Sequence, residues 1–537
     1  MYDFDLLYPS AEKRRQGRRG VRVGEKLVQD LQLEELLGNG VLGKTEYEAL
    51  CEEIKYLPWD REVIVFRQRI LQDLIDNPAF IRNCMDFGSR LKDNVPRKRV
   101  NVWESSEPVH KVLQEHINLL KENYLVICSA DLKGVFRSDV LSRMADFLDG
   151  KEHKARLQEV IGLLEEVLDA GALEYQAEYR FGQALDTVLI QRLFQENSYI
   201  CKEKGVLRRK VVDEDYLISA EGNLVLRNNL NEIYAKTLVK LCDLASRINS
   251  ALVGAFKQIR RELAYYQAGI RLLSLYRRMD IPACIPEIEV RQIACMEYLE
   301  LYPVRLLAKS SGKAGSGKSL DIQGNDYRNE LGKIGIVTGT NSGGKTTFLQ
   351  ALGTAQVFLQ LGFFVPARFC RASAAPYIGS LFAGMEDIHT VHGKLEQELV
   401  EIRKTAGRLK EGSLILMNEI LSTTSEEEGT QIMAEVLGAF SETHSNLLFA
   451  THLSRLAVLA QEGTLGLAKG EKAVNYVAGV EKGGDGDLQR TYRIKPGTPL
   501  KNIYEKEFLD RFQQYLTVGG KLWPTAGAGG NHPGAEG

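Results

Sequence analysis

The chain is poor in features that mark several protein classes. Its eight cysteines, at 51, 84, 128, 201, 242, 284, 295 and 370, never form a Cys-x-x-Cys pair. Neither a zinc site nor a disulfide framework is therefore indicated. No signal peptide opens the sequence and no apolar run is long enough to cross a bilayer. These absences predict a reducing, cytoplasmic setting with no membrane partner. An excess of one charge sign is missing too. The formal net charge is −2, so no global basic field draws in nucleic acid, and a local patch would have to do so. With 26% charged and 44% hydrophobic residues, the composition is that of a soluble globular chain. At 537 residues it is too long for one ordinary core, which predicts two or more domains.

What the chain does have is the stretch KIGIVTGTNSGGKTTFLQALG, starting at Lys333. A β-branched run (Ile334, Ile336, Val337) enters a glycine-rich loop, and an apolar helix follows. This reads as strand, phosphate loop, helix. Gly339, Gly343 and Gly344 let backbone amides face phosphate oxygens where a side chain would block the approach. Thr340, Asn341 and Ser342 complete the loop. Lys345 reaches the β/γ-phosphates, Thr346 offers its hydroxyl to Mg²⁺, and Thr347 follows at the positive end of the helix. A second match, GKAGSGKS at 312–319, is rejected. The residues after it carry no helical apolar stripe, so its amides would not be aligned.

Around this stretch the chain divides into four parts. Residues 1–28, with EKRRQGRRGVRVGEK, predict a basic flexible arm. Residues 29–283 have helical periodicity, with a small β insertion near 205–226, where apolar residues alternate. Within them, 229–279 carries one continuous apolar stripe of a long, lever-like helix. Gly254 and Gly269 are expected to bend it, and Pro282 and Pro286 to end it. Arg97-Lys98-Arg99 and Arg208-Arg209-Lys210, taken singly, read as exposed faces. Residues 284–516 are α/β, and 517–537 predict a disordered tail.

Two short apolar runs in the α/β part, SLILM (413–417) and NLLFAT (446–451), suit a parallel sheet covered on both faces. Such sheets bind ligands at the carboxyl ends of their strands. The glycine loop, Asn418-Glu419 and His452 are therefore expected at one edge. Glu419 is placed to polarise an attacking water, and His452 to sense the terminal phosphate. Asn418 stands where an Asp usually helps to hold Mg²⁺. A neutral amide there predicts weaker Mg²⁺ binding, slow turnover, or both. His389 and His392 have the spacing of one helical face, but without further ligands they do not make a metal site.

The constellation resembles the MutS family of mismatch-repair ATPases, within the ABC-type class. The resemblance rests on Asn325-Asp326, TGTNSGGKTTFLQALG, GFFVPA (362–367), SLILMNEILSTTSEEEG (413–429), FATHLSRLA (449–457) and VNYVAG…RTYRIKPG (474–497). Upstream, VFRQRILQDL (65–74) and the long helix are similar to the family's helical core and lever. It implies a mainly α-helical core with a lever helix, followed by an ABC-type P-loop ATPase domain. It also implies ATP and Mg²⁺ as cofactors, held by Gly339–Thr347 with Thr346 and Asn418 as metal ligands. Glu419 would activate water, His452 would be the switch histidine, and Ser425 would lie near a homodimer contact. The sequence departs from the family in places. The mismatch-reading domain is not expected, and GKLEQEL (393–399) has no Ser or Thr where full-length members carry a Ser-Thr-Phe signature. Short bacterial MutS-related ATPases are the most similar group.

Two functions compete on these residues. One is an ATP-gated, dimeric clamp on DNA, acting in mismatch repair or related DNA maintenance. The other is an ATP-dependent sensor or scaffold with a protein or RNA (ribosome) partner and little hydrolysis. The missing mismatch reader, the near-neutral charge and Asn418 motivate the second.

Overall fold

The computed structural model describes residues 4–19, 23–38, 41–93, 106–129, 134–169, 172–177, 188–194, 198–203, 206–211, 221–289, 295–311, 322–329, 333–340, 343–383, 393–422, 424–482, 488–498, 517–518 and 521–522. The chain forms two compact units. One comprises Met1–Leu6 and Arg69–Tyr266, the other Leu7–Gln68 and Gln267–Gly537. Among the described residues no helix is long and apolar enough to cross a membrane.

The first unit is mainly helical. Pro78–Arg90 starts with proline in its first turn and buries Phe80, Ile81, Cys84 and Phe87 on one face. Phe87 meets Phe256 edge-on at 4.6 Å between centroids. Ser106–Cys128 contributes a buried polar device. Its Asn123 Nδ2 donates to Asn249 Oδ1 at 2.6 Å, and a buried amide pair of this kind fixes one register between two helices. Asp73 accepts the backbone N–H groups of Arg137 and Ser138, at 3.1 and 2.7 Å.

The β insertion begins earlier than its sequence predicts. Ala172–Ala177 pairs with Val188–Phe194, and Ser198–Glu203 with Val206–Val211, both antiparallel. Only the last strand lies inside 205–226. From Glu221 the chain is helical, so the apolar residues of EGNLVL belong to the long helix. That helix spans Glu221–Arg278, 58 residues, without a break at Gly254 or Gly269. Gly269 has a packing reason: a Cβ there would lie 2.9 Å from the Phe363 ring. The predicted stripe is interrupted as well. Leu244 is exposed, while Ala245 and Asn249 take the buried face.

The second unit holds two sheets. In the six-stranded sheet the order is Ile378–Phe382, Leu414–Asn418, Asn446–Ala450, Ile334–Thr338, Ala473–Lys482, Leu488–Pro496. The first five strands are parallel and the last is antiparallel. Leu414–Asn418, Asn446–Ala450 and Ile334–Thr338 are buried at every residue, which is why their sequences read as continuous apolar runs. The second sheet orders Glu287–Ile288, Phe369–Ala372, Met296–Leu301 and Asn325–Arg328.

Lys345–Leu361 follows the glycine loop and is buried on all sides. Its glutamines must therefore find internal partners. Gln350 Nε2 donates to Asp30 O at 2.8 Å. Gln356 Nε2 donates to Ser373 O at 2.9 Å, and Gln360 Nε2 to Pro58 O at 2.9 Å. Among the described residues of 1–28, helices and buried side chains stand where a flexible arm was expected, which corrects that expectation. Leu7 and Tyr8 are buried, and residues Ala11–Arg19 and Glu25–Asp30 are helical. Several of the basic side chains are internally matched. Lys13 bridges Asp60 and Glu62, Arg18 pairs with Glu53, and Arg14 and Arg67 lie over the Tyr8 ring at 5.4 and 5.0 Å. Arg67 is fully buried, donating to Leu7 O and Glu53 Oε2, both at 3.0 Å. These pairings link segments up to 60 residues apart, so local composition does not reveal them. In the expected tail, Thr517–Val518 pairs with Lys521–Leu522. Its other residues, and the rejected second loop at 312–319, lie outside the described residues.

Candidate functional site

The parallel sheet aims its strand ends at one edge. Hydrogen bonds just past the strands fix that edge: Ala383 N–H to Asn418 O, Glu419 N–H to Ala450 O, and Thr451 N–H to Val337 O, at 2.9, 2.9 and 3.0 Å. Val337 and Thr338 lead into the glycine loop. Gly339 has φ 137°, and a Cβ there would lie 2.7 Å from Ala478 Cβ. Gly344, at φ 92°, precedes the helix and leaves its first amides free of a side-chain cap. Only glycine takes both positions without strain.

Lys345 is buried, 4% exposed, with its ammonium inside the loop. Nζ donates to Gly339 O at 2.9 Å and Thr340 O at 3.2 Å. Burial lowers its pKa, and the Glu419 carboxylate partly opposes that. A desolvated ammonium that donates to neutral carbonyls is a strong attractor for an anion. Thr340 Oγ1 is also buried and has no partner among the described residues. Thr346 Oγ1 donates to Asn418 Oδ1 at 2.9 Å. His452 Nε2 lies 2.9 Å from Glu419 Oε1, a hydrogen bond when Nε2 carries the proton. Glu419 itself has φ 54°, the left-handed region that non-glycine residues enter at a cost.

Of the residues singled out in the sequence, Gly339, Thr340, Gly343, Gly344, Lys345, Thr346, Thr347, Asn418, Glu419 and His452 lie at this edge. Asn341 and Ser342 lie outside the described residues, as do His389 and His392. Ser425 is the N-cap of Glu426–Ser441, its Oγ accepting from Glu428 N–H at 3.3 Å. Three glutamates follow it in the first turn, favourably placed against the helix dipole.

A cavity of about 430 Å³ opens from the loop, lined by Gly343–Phe348, Glu419, Leu301, Pro303, Ile322 and Tyr492. Sequence reasoning missed Leu301, Pro303, Ile322 and Tyr492 as lining residues. Tyr492 is 47% exposed and has φ 54°. It is held by Asn325, whose Nδ2 donates to Tyr492 O at 3.1 Å and whose Oδ1 accepts from Ile494 N–H at 2.7 Å. The available signal was Asn325 ahead of the loop strand together with RTYRIKPG. Their contact across 167 residues leaves no local pattern.

A metal ion fits this site in a limited sense. Thr346 and Asn418 present adjacent neutral oxygens. Among the described residues, no group of three or more His, Cys, Asp or Glu side chains could hold a metal. Mg²⁺ suits such a place, since it keeps several waters and takes few protein ligands beside phosphates.

Fold and site together define a multidomain protein with a helical unit and a mixed α/β unit, the latter with a strand–glycine loop–helix element at the edge of a parallel sheet. Comparison with known proteins agrees. Residues 335–501 match the family model for MutS domain V, and residues 59–279 the MutS2 N-terminal domain. The DNA mismatch repair protein MutS of Microcystis aeruginosa is 29% identical over 220 residues, covering 38% of this chain and 24% of that protein. The Syntrophomonas wolfei MutS is 28% identical over 183 residues, 33% and 21% of the two chains. Human MutS protein homolog 4 is 32% identical over 135 residues, 25% and 14%. The chain belongs to the MutS family. Its matches span less than a quarter of the length of these relatives.

Proposed function

We propose that this chain is an ATP-binding and slowly ATP-hydrolysing protein that acts with DNA, as an ABC-type ATPase of the MutS family. One observation carries the reading: Lys345 inside a glycine cradle, the Thr346–Asn418 pair and the Glu419–His452 pair converge on one cavity. Lys345 exchanges its loop carbonyls for the β- and γ-phosphate oxygens of ATP, helped by the amides of Gly343 and Gly344. Thr346 and Asn418 would hold Mg²⁺, which would supply neutralising charge on those oxygens. Leu301, Pro303 and Tyr492 cover the base. Glu419 orients the attacking water and takes up its proton, and His452 tracks the terminal phosphate from the next strand end.

The relatives' names include DNA mismatch repair, which supports DNA as the partner. A homodimer with Ser425 near its contact, gated by ATP through the long helix as lever, completes the proposal. Lys345→Ala should abolish ATP binding, and Glu419→Gln should retain ATP while stopping its hydrolysis. Unchanged turnover in Glu419→Gln would remove the base assignment. DNA association is read at low salt on linear, mismatched and branched duplexes, where phosphate contacts dominate. No binding to any of them would sink the DNA part. ATP-dependent recovery of ribosomes without DNA would favour the sensor reading instead.

A further inference from the structure

The strand end that carries Glu419 is under conformational load. Glu419 and Leu421 both have positive φ, 54° and 61°, and neither is glycine. A backbone in this state relaxes unless its surroundings over-determine it. Three hydrogen bonds do so here. Glu419 N–H donates to Ala450 O at 2.9 Å. Thr424 Oγ1 donates to Leu421 O at 2.9 Å. Leu421 N–H donates to Glu398 Oε2 at 2.8 Å. The third bond differs from the others, because its acceptor is a side chain from another element, the helix Lys394–Ala406.

Glu398 is used in an unusual way for a carboxylate. Oε2 takes the Leu421 amide, while Oε1 is buried with no partner among the described residues. A carboxylate with one oxygen out of water and without a partner among the described residues gains little stability from that arrangement. Its placement makes sense if the gain lies in the position of the loop. Leu421 is fully buried, so fixing its amide fixes the peptide two residues beyond Glu419.

We infer that Glu398 is a positioning residue for ATP hydrolysis: by holding the Leu421 amide it keeps Glu419 in the left-handed conformation that points its carboxylate into the cavity. This inference rests on the proposed ATPase reading. Glu398 does not reach substrate, so it governs the hydrolytic step and leaves nucleotide binding alone.

The test uses the full chain with Glu398→Ala, Glu398→Gln and Glu398→Asp. Three quantities are read: steady-state ATP turnover, affinity for a fluorescent ATP analogue, and amide exchange in a peptide covering 419–424. In Glu398→Ala, kcat should fall about 10- to 100-fold, the scale of a small misplacement of a catalytic group. KM and analogue affinity should stay within about twofold, as for an interaction used only in the transition state. The glutamine carbonyl still accepts the Leu421 N–H, so Glu398→Gln should recover kcat to within about threefold, a neutral acceptor being weaker than a charged one. Exchange at 419–424 should quicken in the alanine variant and not in the glutamine variant. If Glu398→Ala does not fold, Glu398→Asp decides, because its shorter side chain should lose kcat at constant affinity.

The inference is overturned by unchanged kcat in Glu398→Ala, by equal losses in the alanine and glutamine variants, or by unaltered exchange in Glu398→Ala. Absence of turnover in the unmodified chain would instead refute the ATPase reading. The exchange measurement would then still decide whether Glu398 holds the loop.

Discussion

Replacing Asn418 by Asp tests the chemistry of the site most directly. Asn418 is 8% exposed at the end of its strand, and its Oδ1 already accepts from Thr346 Oγ1 at 2.9 Å. Asn418→Asp keeps the shape and the acceptor and adds one negative charge. A carboxylate and a divalent cation about 4 Å apart attract by about 8 kcal/mol at an effective dielectric near 20. Removing a carboxylate from water costs about several kcal/mol in return. The expected remainder, about 1–2 kcal/mol, corresponds to roughly 5- to 30-fold tighter Mg²⁺ binding. The same arithmetic has the opposite sign without metal. There the new carboxylate is buried beside a hydroxyl only, so the metal-free protein should lose about 1–2 kcal/mol of stability. The assay is a Mg²⁺ titration of ATP turnover at saturating ATP, paired with thermal unfolding with and without Mg²⁺. Half-saturating Mg²⁺ should drop, maximal turnover should rise, and the metal-free midpoint should fall. An unchanged Mg²⁺ dependence would refute the argument, since it would mean that position 418 does not face the ion.

Two further changes probe the cavity wall and the N-terminal segment. Tyr492→Ala should weaken ATP binding about 5- to 30-fold, the worth of one aromatic stacking contact, and leave inorganic tripolyphosphate unaffected. Equal weakening of both ligands in direct binding measurements would place Tyr492 away from the base. Arg67→Ala leaves Glu53 short of one buried partner and should destabilise the unit by about 3–5 kcal/mol. Urea unfolding followed by circular dichroism reads this, and a shift below about 1 kcal/mol would mean that the pair is not sequestered from water.

How much of this was legible depends on the distance over which each residue finds its partner. Ile334–Thr338, Leu414–Asn418 and Asn446–Ala450 declare themselves because burial on both faces demands apolar residues at every position. The glycine loop declares itself through conformation, since Gly339 and Gly344 occupy backbone states that other residues avoid. The N-terminal segment misleads for the opposite reason. Lys13 and Arg18 look like a free basic arm until Asp60 and Glu53 are brought beside them. The long helix was visible in its period, but the turn near Leu244 was not, because Ala245 and Asn249 carry the contact with less apolar character. Tyr492 and Glu398 were the least visible. Each acts through a backbone group far along the chain, Asn325 fixing one and Leu421 fixed by the other.

On the proposed reading, nucleotide state is felt beyond the cavity through the helix that follows the glycine loop. Lys345–Leu361 begins at the phosphate cradle and has no solvent-facing side on which to dissipate a displacement. Its contacts with the N-terminal segment and with the second sheet are made by glutamine amides on backbone carbonyls: Asp30 from Gln350, Ser373 from Gln356, Pro58 and Ala375 from Gln360. A buried hydrogen bond tolerates little change of length before its full desolvation cost returns. If the proposed ATP binding shifts the helix, the shift would carry those backbone segments with it or break buried hydrogen bonds. Pro58 stands just before Arg61–Asp76, so on the proposed reading the first turns of that helix are the next to feel such a shift.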